Sequence, residues 1–70
     1  MDNHEKAAGI VRKYIMENYQ KVENLKIREL KFDKYTENWT AHSSFNAMDR
    51  SYELALVFDF NKIIFAKEFI

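Results

Sequence analysis

Residues 25–32 read LKIRELKF, and the fold turns on how those eight letters are spaced. Leu25 and Ile27 stand at odd positions, and the period of two is that of an extended strand. Leu30 and Phe32 then stand at even positions. A regular strand sends alternate side chains to opposite faces, so the two pairs share a face only if an extra residue lies between them. We therefore expect a strand over residues 25–35 with a β-bulge near Arg28–Glu29. The alternative is a strand whose two ends pack on different faces.

Upstream of this stretch the period is different. Ala7, Val11, Tyr14, Ile15, Asn18, Tyr19 and Val22 recur at steps of three and four, which predicts an amphipathic helix over about residues 3–21. Ala8 and Ile10 widen its apolar stripe. Asp2 and Glu5 have the spacing of a capping box, with Asp in place of the usual Ser or Thr. Gly9 costs about 1 kcal/mol against Ala inside a helix. With Ala7 and Ala8 it makes a small-residue patch that packs on the domain's own sheet or meets a helix of a second subunit.

Downstream, three further strands are expected. The second covers residues 38–46, with Trp39, Ala41, Ser43 and Phe45 on one face and Thr40, His42 and Ser44 on the other. NAMDR connects it to the next, with Asn46, Asp49 and Arg50 as turn formers. The third covers residues 51–60, with Tyr52, Leu54, Leu56, Phe58 and Phe60 on one face. Asn61–Lys62 then closes a two-residue hairpin onto a fourth strand over residues 63–70. A short apolar run of this kind also admits a helix, although Ile-Ile-Phe favours a strand. The expectation is a single α+β domain over residues 1–70, with one N-terminal helix packed on an antiparallel three- or four-stranded meander.

Composition narrows the chemistry. The chain has 70 residues, no cysteine and two distant histidines, His4 and His42, so disulfides and thiolate metal sites are excluded. We expect no cofactor and no metal. A domain this small needs another source of stability, which leaves packing and oligomerisation. Eleven basic residues balance eleven acidic ones. The stretch Lys21–Lys34 carries five bases and three acids, which reads as a solvated face, and nucleic-acid binding through it is the least favoured alternative.

No P-loop, GxGxxG, GxSxG, HExxH or CxxC motif is present. His42 and Ser44 share a strand face, but no third group orients them, and they read with Ser43 as polar residues on a solvent-facing strand. Glu53 and Asp59 are separated by about 20 Å at strand rise, too far for a catalytic dyad. Trp39, Tyr35, Phe45, Tyr52 and Phe58 lack interleaved bases, so they read as core rather than as a base-stacking platform. We expect no enzyme and no catalytic residue.

The stretch YIMENYQKVENLKIRELKF, with Tyr14 and Tyr19 on its helix, resembles small helix-plus-antiparallel-meander domains of low-GC Gram-positive bacteria and their phages. That resemblance covers residues 10–35, implies the same α+β build and transfers no functional residue. The residues at the start, MDNHEKAAGIVRK, contain no apolar leader, which points to the cytoplasm; a leader already removed would point to export. Charges at Glu53, Asp59, Lys62, Lys67 and Glu68 interrupt the final apolar run, so no membrane span is expected.

The functional expectation rests on that run. As the last strand of a meander, Ile63, Ile64, Phe65, Ala66, Lys67, Glu68, Phe69 and Ile70 form an apolar edge. Such edges are seldom left bare. The chain therefore reads as a non-enzymatic protein–protein interaction domain, homodimeric through this strand, serving as a small inhibitor or adaptor. A small apolar-ligand-binding domain is the alternative.

Overall fold

The computed structural model describes residues 3–69. Helix α1 (Asn3–Asn18) precedes four strands, β1 (Val22–Asp33), β2 (Asn38–Ala47), β3 (Arg50–Phe58) and β4 (Ile63–Phe69). The strands form one antiparallel sheet in the order β1-β2-β3-β4, a meander with α1 on one face. Residues 63–69 are strand, which settles the ambiguity of the final run.

Three fully buried helix residues, Ala7, Val11 and Ile15, follow one another at four-residue steps and meet the sheet. Ile10 and Tyr14 flank them, half-buried. The helix ends at Asn18, three residues earlier than its periodicity suggests, and Asn18 is exposed. The Asn18 side-chain amide donates to the Tyr14 carbonyl at 2.8 Å, a local bond of the kind that competes with the helical ladder. Lys21, at φ 55°, then turns the chain into β1. The expected capping box includes Asp2, which lies outside the described residues.

The sheet core is set by β2 and β3. Trp39, Ala41, Ser43 and Phe45 pair with Phe58, Leu56, Leu54 and Tyr52 on the helix face. Leu54, Leu56 and Phe58 are essentially inaccessible, and each such side chain contributes about 1.5–3 kcal/mol of burial. Ser43 is also buried, and its hydroxyl reaches only the Leu54 carbonyl at 3.5 Å. Phe45 and Tyr52 stack with their rings 5.4 Å apart. The other face carries Thr40, His42, Ser44, Ala55 and Val57, and no helix among the described residues covers it.

Strand β1 contains the bulge its spacing requires. Ile27 pairs with Ser43 and Glu29 with His42, so Arg28 is the extra residue. Leu30 and Phe32 pair with Ala41 and Trp39, which puts them on the helix face together with Ile27. A second irregularity lies between Glu23 and Lys26, where Asn24 takes φ 55°. It sets Val22 opposite Ala47, and β1 begins three residues before the expected start.

Two connections differ from expectation. The β2–β3 turn consists of Met48 and Asp49 alone, both at positive φ (51° and 64°), while Asn46 and Arg50 belong to the ladder. The β3–β4 loop has four residues, not two, because Phe58 pairs with Ile63. Asp59 closes it: its N–H donates to the Lys62 carbonyl at 3.0 Å, and its carboxylate accepts the Asn61 and Lys62 N–H groups at 2.7 and 2.8 Å. That side chain substitutes for the positive φ that a two-residue turn would need. Phe60 accordingly leaves the strand and stacks on Trp39, ring centres 6.0 Å apart.

Candidate protein interface at strand β4

A four-stranded open sheet has two edges, and here they differ in kind. The β1 edge is broken by two irregularities, and Glu23, Lys26, Glu29 and Lys31 project together from the face opposite the helix. Lys31 and Glu29 form an ion pair at 3.3 Å. Bulges and alternating charges are the devices that stop a sheet edge from recruiting another strand.

The β4 edge carries fewer of these devices, one irregularity and the two charges Lys67 and Glu68. Its one irregularity lies at its start, where Ile64 is extra between the Phe58–Ile63 and Val57–Phe65 pairs. From Phe65 to Phe69 the ladder to β3 is regular. Ile64, Phe65 and Phe69 are 45%, 53% and 40% exposed, while Ile63 is half-buried against the core. Among the described residues no strand pairs with the outer side of β4. Helix α1 approaches the sheet most closely at β1, the strand farthest from this edge.

Pairing places the β4 side chains on two faces. Phe65, Lys67 and Phe69 lie opposite Val57, Ala55 and Glu53 on the face away from the helix. Ala66 and Glu68 lie opposite Leu56 and Leu54 on the helix face. The Lys67 ammonium sits 5.3 Å from the Phe69 ring centre, and His42 lies 5.8 Å from the same ring. The Nε2 atom of His42 is buried with no hydrogen-bond partner among the described residues. Ile70, expected to extend this strand, lies outside the described residues.

One anchor of β4 was not visible in the sequence. The Tyr19 hydroxyl donates to the Glu68 carboxylate, forty-nine positions away. The Tyr19 ring also meets Phe45 and Tyr52 edge-on, at 4.8 and 5.1 Å. Burial, then the bond to Glu68, raises the Tyr19 pKa well above its ordinary value. No local periodicity pairs residues so distant, so only the spare hydroxyl of a stripe tyrosine could have hinted at it.

The other candidates stay apart. Ser43 is buried, whereas Ser44 accepts a hydrogen bond from Arg28 Nε at 3.0 Å, and no bond joins it to His42. No group of three His, Cys, Asp or Glu among the described residues is placed to hold a metal ion. Trp39, Phe45 and Phe58 are core, but Tyr35 is 90% exposed in the β1–β2 loop. That loop is held by Asp33, whose carboxylate accepts the Tyr35 N–H at 2.9 Å and is thereby kept below its ordinary pKa. A cleft of about 630 Å³ opens between Asn3 and His4 at the start of α1 and Leu30, Phe32, Glu37, Trp39 and Phe60.

No family model, curated protein or solved structure matches this chain. No described helix is long and apolar enough to cross a membrane.

Proposed function

We propose that this chain is a non-enzymatic protein–protein interaction domain that works as a homodimer through edge-to-edge addition of β4. It belongs with small inhibitors and adaptors rather than with catalysts. The observation that carries this reading is the contrast between the two sheet edges. One is bulged and charged, while the other is regular from Phe65 to Phe69 and presents exposed Ile64, Phe65 and Phe69. Adding a strand satisfies the outer backbone groups of β4 and covers those side chains.

A single added strand pair is small beside a standard interface of about 1,600 Å², so the dimer belongs in the micromolar range. Sedimentation equilibrium across that range tests it, with an expected mass of twice the 8.5 kDa chain. Ile64→Lys is expected to return the chain to a monomer. A monomer of the unaltered protein at all concentrations, with nothing bound, overturns the reading.

A second reading is supported by the cleft beside Trp39, which has the volume of a small-molecule site and three aromatic walls. Trp39 is the only tryptophan, so its fluorescence reports on that cleft directly. Saturable quenching by an apolar dye that Phe32→Ala abolishes would support a ligand site there, and unsaturable quenching would dismiss it.

A further inference from the structure

We infer that a second copy pairs antiparallel with β4 in one register, with Ala66 of each chain opposite Ala66 of the other across a two-fold axis normal to the sheet. This rests on the homodimer proposed above and deepens it. An axis normal to the sheet keeps both helices on the same side, so side chains of one face meet side chains of the same face. Phe65, Lys67 and Phe69 form one set on β4, and Ala66 and Glu68 the other. Such a register must centre on a residue, and of the five in the regular part of β4 Phe69 is set aside because its register needs residues beyond the described end of the strand, which leaves four.

Two of them fail on charge. Centring on Lys67 places two ammonium groups directly opposite each other, and centring on Glu68 does the same with two carboxylates. Like charges directly opposite are destabilising, while opposite-charge and apolar pairs stabilise the ladder. Centring on Phe65 fails on geometry. It requires Ile64, the extra residue of the β4 irregularity, to enter the ladder immediately on both sides of the axis, where a bulge disrupts pairing.

Centring on Ala66 avoids the like-charge pairs and keeps Ile64 two positions from the axis rather than next to it. The smallest side chain of the strand lies on the axis. Phe65 faces Lys67 of the second copy, twice by symmetry, and Glu68 faces Ile64. No like charges stand directly opposite. Lys67 already holds its ammonium 5.3 Å from the Phe69 ring centre, so a phenyl face is within its natural reach. Helix α1 approaches the sheet most closely at β1, and on this flank Ile10, Lys13, Tyr14 and Glu17 line a pocket with Asp59–Ile63, ahead of the regular part of β4.

The absence of cysteine makes the test direct, because single-cysteine variants carry no competing thiol. Ala66→Cys, Phe65→Cys, Lys67→Cys and Glu68→Cys are each oxidised mildly, with circular dichroism confirming the fold of each. Residues directly opposite in an antiparallel pair have Cα atoms within disulfide range, so Ala66→Cys should cross-link at least about tenfold faster than the others. Fastest cross-linking at any other position, or at none, overturns the register. Sedimentation of the unaltered chain separates the two failures. A dimer that does not cross-link at Ala66 refutes the register alone, whereas a monomer refutes the homodimer and the register with it.

Discussion

Gly9 lies on the exposed side of α1, where an added Cβ would meet nothing within 4 Å. The small-residue patch therefore divides: Ala7 packs on the sheet, and Gly9 faces open space. Gly9→Ala should raise stability by about 1 kcal/mol, or the thermal midpoint by about 4–8 °C for a domain of this size. A midpoint that does not rise would mean that another molecule approaches the helix there. Tyr19 carries the opposite kind of prediction. Its folded pKa is raised above the ordinary 10.0, so its stabilising contribution is complete below that value and is lost as pH climbs past it. Tyr19→Phe should cost about 1 kcal/mol at neutral pH and make unfolding less steep in pH above 10, measured by urea titration at each pH.

At the scale of the element, the turns show where sequence reasoning succeeds and fails. The Arg28 bulge was legible because apolar residues on both sides of it changed parity. The bulge at Asn24 was not, because only Leu25 stands between it and the next charge. Asn24 is nevertheless a residue type that tolerates positive φ. The loop at residues 59–62 is not legible in the alternation, because its closing bonds come from the Asp59 side chain, which a period of two places in a strand. The exposure of β4 was legible from its composition and its place at the end of a meander, but the Tyr19–Glu68 anchor was not. Met48 and Asp49 offer an element-level test. Both sit in the left-handed region, which costs a residue with a Cβ about 1–2 kcal/mol. Replacing them with Asn-Gly, the pair favoured in such two-residue turns, should stabilise the hairpin by about 1 kcal/mol in chemical denaturation.

For the whole molecule, size sets the terms. A chain of about 60–70 residues buries only about 60% of the surface its unfolded form exposes, so coupling to a second copy matters more than in a larger protein. If β4 pairing holds only folded chains, raising the concentration from about Kd to 100 times Kd adds about 2 kcal/mol to stability. Differential scanning fluorimetry over that range should show the midpoint climbing with concentration. A midpoint independent of concentration would count against the dimer.

The bulge in β1 also bears on how this chain tolerates changes in length. Loss of one residue from a strand normally throws everything beyond it onto the wrong face. Arg28 is an exception, because it is the extra residue at its bulge, and its loss removes the side-chain hydrogen bond to Ser44 without shifting the register. Without it, Ile27, Leu30 and Phe32 would alternate regularly and still face α1. Deleting Arg28 should therefore leave the fold intact at a cost below about 1 kcal/mol, whereas deleting Lys31, three residues on, should send Phe32 away from Trp39 and cost several times more. Circular dichroism and denaturation of the two deletions would compare them directly. In this strand the position of a gap, more than its size, decides whether a shortened chain still folds.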